Sequence, residues 1–240
     1  MTAQLPTIVL TRPHDASERF AKLLKEAGLS NPVVISPVVE IIKVPHSVPE
    51  QFSGAIFTSV NGVGAVPGRD LPAWCVGERT AEVARAKGWR AVSADGDVDD
   101  LFALVMQSAP KGSVVHFRGL HAKGDLARRL VARGIKSTDI VVYRQDAVPL
   151  TDQVKTLLMG NDPIILPLFS PRSAATLCEQ GPFRAPMHVV AISAATADSA
   201  RGLASRGVLI SRAPNANAMV AAINHVVNGI SFVEDDQNTA

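Results

Sequence analysis

Two stretches of the chain each occur twice, and this repeat restricts the fold more than any single motif does. VGERTAEVAR (residues 76–85) aligns without a gap on ISAATADSAR (192–201), so that Thr80 falls on Thr196 and Arg85 on Arg201. Upstream, FTSVNGVGAV (57–66) matches LFSPRSAATL (168–177) in pattern, with Ser59 beside Ser170. Downstream, DVDDLFALV (97–105) matches NANAMVAAI (215–223), pairing Asp97 with Asn215 and Asp99 with Asn217, all of helix-capping type. A second pair of segments, VLTRPHDASERFAKLLKEAGL (9–29) and VHFRGLHAKGDLARRLVARGI (115–135), puts Arg12 on Arg118, Phe20 on Leu126, Leu24 on Leu130 and Gly28 on Gly134. The chain therefore runs A1, B1, A2, B2.

Each segment reads as strand, turn and helix. In A1, TIVLT is β-rich, Asp15 with Glu18 resembles a capping box, and Phe20, Leu24 and Ala27 have helical spacing before Gly28 as C′ residue. PVVISPVV then reads as a buried strand. AIFTS, AWCVG, IILPLFS and HVVAIS read as strands of the B segments, Thr80 and Thr196 sit near helix starts, and Gly88 and Gly207 near the stops. Strands alternating with helices imply parallel sheets with sites at the carboxyl ends of the strands. Two pairings are open: A1 with B1 and A2 with B2, or A1 with B2 around an inserted B1–A2. The extended, β-branched crossings VVEIIKV (38–44) and IVVYRQDAV (140–148) favour insertion, with two parallel linkers and a cleft between the domains. The expected division is 1–37 with 149–240 as a discontinuous domain, and 38–148 as the inserted one.

Several function classes are disfavoured. The 24 basic and 22 acidic side chains nearly cancel, which argues against a nucleic-acid or membrane partner. Cys75 and Cys178 make no disulfide framework and fit a reducing compartment. The first residues lack a signal-peptide pattern, and no run approaches the ~18 apolar residues of a membrane helix, so a cytoplasmic location is expected. There is no G-x-G-x-x-G after a strand, no phosphate-binding G-x-x-x-x-G-K-[ST] and no G-x-S-x-G. The six histidines never fall at H-x-x-x-H spacing, and DGDVDD (95–100) reads as a helix start, because a calcium loop from Asp95 would place Met106 where a bidentate Glu belongs. No metal is expected.

Small polar residues at strand–helix turns remain: Ser59 and Asn61, Gly77 and Thr80, Ser170, Ser193 and Thr196. Each hydroxyl taken alone can be the cap of its own helix. Their recurrence in both copies points instead to a ligand with several carboxylates, since free N–H groups and the helix dipole favour anions there. Arg12 and Arg118, at equivalent strand ends, can supply forked cationic contacts. Arg144 and Arg172 are weaker candidates, readable as solvated surface arginines. Tyr143, the single tyrosine, ends the second crossing; it is either a packed linker aromatic or a proton donor to a leaving hydroxyl. Cys75 reads as a buried strand residue, not a nucleophile.

VLTRP, FTSVNGV, CVGERTA followed by AKGW, the tyrosine in VVYRQ, FSPRSA and AISAATA together resemble the uroporphyrinogen-III synthase family, in order, from residue 8 to about 227. The resemblance implies two α/β, parallel-sheet domains of flavodoxin-like kind, the second inserted into the first and joined to it by a two-stranded linker. It implies hydroxymethylbilane, a linear tetrapyrrole with eight carboxylates, as substrate, and closure to uroporphyrinogen III with ring D inverted and water lost. It implies no cofactor, a monomer, and transient contact with hydroxymethylbilane synthase. Tyr143 matches the tyrosine held to assist hydroxyl departure, and Thr80, Ser170 and Thr196 match cleft-lining positions. Ser193 stands where the family often has glycine, and Leu168 where threonine is frequent. The competing reading is a non-catalytic two-domain protein that binds a small polycarboxylate.

Overall fold

The computed structural model describes residues 5–121 and 125–237. It begins with β1 (Thr7–Leu10), α1 (His14–Glu26), β2 (Val33–Ile35) and β3 (Val39–Lys43). There follow β4 (Gly54–Phe57), α2 (Val60–Ala65), β5 (Pro72–Cys75), α3 (Glu78–Ala86), β6 (Arg90–Ser93) and α4 (Val98–Ser108). Next come β7 (Val114–Gly119), α5 (Leu126–Val131), β8 (Ser137–Ala147), α6 (Asp152–Met159) and β9 (Ile164–Leu168). The last elements are α7 (Pro171–Cys178), β10 (Met187–Ala191), α8 (Ala194–Ser199), β11 (Ser205–Ile210) and α9 (Ala216–Gln237). One compact unit is formed by the chain through Glu40 and from Ala147 onward, and the other by Ile41–Asp146.

The first unit carries a five-stranded sheet in the order β11-β10-β9-β1-β2, with parallel pairing throughout. Counted within the unit this is 2-1-3-4-5 reversed, the flavodoxin-like order. The second unit's sheet runs β3-β8-β7-β4-β5-β6. Setting β7 on β1, β8 on β2 and β4, β5, β6 on β9, β10, β11 superimposes the two orders. The second unit is thus a circular permutation of the first, as the A1-B1-A2-B2 repeat requires.

Burial on both faces explains the nearly unbroken apolar strands. In β1, Val9 packs with Val154 and Leu158 of α6 and Leu177 of α7, while Ile8 and Leu10 pack with Phe20 and Leu24 of α1 and Met219 and Ile223 of α9. In the second unit, Phe57, Cys75 and Phe117 pack with Val63, Ala81 and Ala84 of α2 and α3, and Ile56 and Val114 pack with Leu101, Val105, Leu126 and Leu130 of α4 and α5.

Helix ends follow from local chemistry. Asp97 caps α4 by accepting from the N–H groups of Asp99 and Asp100, while the Asp100 carboxylate accepts from the Asp97 N–H. Asn215 likewise accepts from Ala218 at the start of α9. Gly28, at φ 83°, closes α1: its N–H reaches the Lys25 carbonyl and that of Leu29 the Leu24 carbonyl, a Schellman turn that needs a left-handed residue.

Five sequence expectations need correction. Asp15 does not cap α1; Pro13 takes the N-cap place, Asp15 lies inside the first turn, and the Ser17 hydroxyl donates to the Arg12 carbonyl. PVVISPVV is two strands, β2 and β3, because Ser36 and Pro37 break the ladder. Gly207 does not end a helix; it lies within β11, opposite His188, where the register shifts. The crossings pair antiparallel, since the Val44 N–H donates to Val142 and the Val148 N–H to Val38, one number rising as the other falls. The terminal SFVEDDQNTA, whose polar and acidic composition reads as a frayed tail, is helical in α9 as far as Gln237; its last three residues lie outside the described ones.

Two glycines of α2 differ in sign. A Cβ on Gly62 would stand 2.6 Å from the Phe117 carbonyl oxygen, whereas one on Gly64 meets nothing within 4 Å. Gly62→Ala is expected to lower stability by about 1–3 kcal/mol through overpacking. Gly64→Ala is expected to raise it by up to about 1 kcal/mol through helix propensity. Urea midpoints of the two variants check both signs.

Candidate functional site

In each unit the expected polar residues come together at the carboxyl edge of adjacent strands. In the first, Arg12 follows β1, Ser170 follows β9 and Ser193 follows β10, on three neighbouring strands. In the second, Tyr143 lies on β8 beside Gly119, the last residue of β7, Arg118 precedes that glycine, Ser59 follows β4 and Gly77 follows β5.

The turns are built alike but not identically. Ser59 accepts from the Asn61 N–H at 3.1 Å. Ser170 accepts from the Ser173 N–H and donates to the Ser173 hydroxyl. Ser193 accepts from the Thr196 N–H, and its hydroxyl lies 3.1 Å from that of Thr196. Thr196 is fully buried, so Ser193 is the accessible hydroxyl of that turn. At the equivalent turn of the other unit, Gly77 leaves α3 with no side-chain cap, and open space stands where a Cβ would project. Thr80 is buried one turn further on.

The two strand-end arginines have parted in role. The Arg12 guanidinium stacks over the Phe169 ring, 3.9 Å from its centroid, and has no acidic partner among the described residues. Burial and the nearby Arg19 pull it down to about 10, which leaves it cationic at neutral pH. Arg118 instead approaches the Asp139 carboxylate at 3.4 Å. Arg144 is paired with Asp146 at 2.8 Å. Tyr143 is half-buried, and its ring lies so close on Gly119 that a Cβ there would come within 2.7 Å of it.

Sequence reasoning missed a polar chain at this edge of the second unit. Asp139 lies 2.8 Å from Nδ1 of His116, a residue only 2% exposed, and Nε2 of His116 lies 3.2 Å from the Thr58 hydroxyl. The signal was His116 itself, a histidine inside the apolar run VVHF. H-x-x-x-H spacing could not find its partners, because they stand on neighbouring strands. His14, Asp15 and Glu18 also approach one another within 4.8 Å, but all three are exposed on α1, as a solvated surface is.

The family model of uroporphyrinogen-III synthase HemD matches residues 18–221. The chain belongs to that family. Family membership makes it an enzyme of porphyrin and haem biosynthesis with a small tetrapyrrole as substrate. Uroporphyrinogen-III synthetase from Helicobacter pylori 26695 has a similar fold, with a TM-score of 0.67 at 20% identity over 92% of this chain and 100% of that one. A triple mutant of uroporphyrinogen III synthase from Thermus thermophilus gives 0.52 at 17% identity, over 93% and 99%. No curated protein matches the sequence. Among the described residues no helix is long and apolar enough to cross a membrane.

Two measurements check the local chemistry. Burial pushes the Cys75 thiol up to about 12. A thiol reagent at pH 8 is therefore expected to leave Cys75 unmodified until the protein is unfolded. The Asp139 carboxyl is held below its ordinary value, first by the His116 hydrogen bond, against burial, and then by its electrostatic interactions with His116 and Arg118. A lowered folded value gives stability above the ordinary carboxylate range that drains as pH falls through the folded value. Asp139→Asn should lower the urea midpoint at pH 7, and its gap from wild type should close in acid.

Proposed function

We propose that this chain is the synthase that closes hydroxymethylbilane to uroporphyrinogen III, with ring D inverted and water released. The observation that carries the reading is Arg12: a half-buried, protonated guanidinium, oriented by Phe169 and without an acidic partner among the described residues. Such a group suits a carboxylate, which accepts two parallel N–H bonds from the fork. In the same unit Ser170 and Ser193 follow the strands next along the sheet, and the other unit offers Ser59, Asn61, Arg118, the open N-terminus of α3 at Gly77, and Thr80. Each set is read as holding part of the substrate's eight carboxylates. Thr196, whose hydroxyl meets that of Ser193, is read as acting at that turn through Ser193.

The chemistry asks little more of the protein. An electron-rich pyrrole expels the terminal hydroxyl, and the free bilane can cyclise to the uninverted isomer. The enzyme's task is to hold one conformation of a flexible chain, so positioning supplies most of the rate. Tyr143 is read as donating its phenolic proton to the departing hydroxyl, the acid role open to a phenol. The proposed division of the chain remains 1–37 with 149–240 around 38–148. Contact with hydroxymethylbilane synthase, a monomeric state and a cytoplasmic location belong to the same reading.

The test is an isomer assay. Hydroxymethylbilane made in situ from porphobilinogen is incubated with the protein, and the oxidised porphyrin isomers are separated. Protein-dependent isomer III is expected; isomer I alone from folded protein overturns the reading. Arg12→Gln is expected to raise KM at least about tenfold, as loss of a charge-assisted bond does. Tyr143→Phe is expected to lower kcat with little effect on KM.

A further inference from the structure

We propose that Thr58 accepts a hydrogen bond from a pyrrole N–H of the substrate, and that His116 and Asp139 are positioning residues that fix it as an acceptor. The inference rests on the tetrapyrrole reading above and adds a contact to a part of the substrate other than its carboxylates.

Register places the three residues together. Ile56 pairs with His116 and His116 with Asp139 across β4, β7 and β8, and Thr58 lies two residues beyond Ile56, on the same face. A carboxylate can only accept, so Asp139, 2.8 Å from Nδ1, accepts a hydrogen bond from that nitrogen. We take the ring as the Nδ1–H tautomer, with the lone pair on Nε2. The Thr58 hydroxyl, 3.2 Å away, then donates inward to Nε2, and its oxygen lone pairs are what remain for a ligand. A pyrrole N–H matches that polarity and a carboxylate does not.

The fold does not need these polar groups. In the other unit the equivalent pairing is Leu10 with Ile35, and Phe169 takes the place of Thr58, in one apolar cluster. The same architecture closes with three hydrocarbon side chains where the second unit buries a histidine bonded to a carboxylate. The charged groups that face His116 are Asp139 on β8 and, at that carboxylate's other oxygen, Arg118 on β7.

Three measurements test the proposal. In the wild type at pH 7.5, long-range nitrogen–proton NMR correlations of His116 should show the proton on Nδ1 and a bare Nε2. With hydroxymethylbilane generated in situ, Thr58→Val should raise KM about fivefold with kcat little changed, and Thr58→Ser should recover most of the loss. His116→Phe should give a similar rise, and the double variant should be no worse than either single one. A proton on Nε2, an imidazolium at pH 7.5, a wild-type KM for Thr58→Val, or additive effects in the double variant overturn the proposal. Isomer III from the wild type is scored first. Its absence removes the synthase reading and this contact with it, whereas isomer III made with an indifferent Thr58 removes only the contact.

Discussion

Parallel pairing of β10, β9 and β1, and of β5, β4 and β7, decides where every polar turn of this protein falls. Each of these strands is buried on both faces, so a slip of one residue would exchange the side chains fitted to each helix layer and draw a polar turn into the ladder. With the register held, each strand ends on the same edge, and the next two residues are free of the ladder. Ser59, Ser170 and Ser193 are those residues, and each accepts a backbone N–H of the helix it starts. The polar chemistry is thus placed by hydrophobic packing below it.

Most of that placement is legible in the sequence because it depends on local signals. Apolar runs broken by Ser, Thr or Gly mark strand ends, and the repeat shows that both halves use them in one pattern. The errors arise where tertiary structure overrides a local signal. Asp15 and Glu18 have the spacing of a capping box, yet Pro13, with its fixed φ, takes the start of α1. Gly207 resembles a helix stop because the repeat places it near Gly88, but α8 ends earlier and the chain enters β11. Thr58, His116 and Asp139 are not legible as a group, since only cross-strand register brings residues so far apart in the chain onto one face.

The repeat also shows how one architecture carries two chemistries. Leu10, Ile35 and Phe169 fill in one unit the positions that His116, Asp139 and Thr58 fill in the other. The change redirects the strand-end arginines. Where Phe169 replaces a threonine, Arg12 finds an aromatic face to lie on; where Asp139 replaces an isoleucine, Arg118 turns to a carboxylate. A desolvated guanidinium on a ring keeps its donors for a ligand, and one beside a carboxylate has already committed part of its charge.

The antiparallel ladder at the crossings bears on how the chain assembles during synthesis. β1 and β2 leave the ribosome first, yet β1 must pair with β9, which is made only after the whole of Ile41–Asp146. That middle stretch is contiguous and holds every strand of its own parallel run before β9 emerges. Once it is ordered, the bonds from Val44 to Val142 and from Val148 to Val38 bring the two ends of the intervening chain side by side. The entropy of closing a long loop is then met by the middle unit's own folding, since it grows only with the logarithm of the chain left free. The first strands to be made are the last to find their sheet, and the insert is what shortens their search.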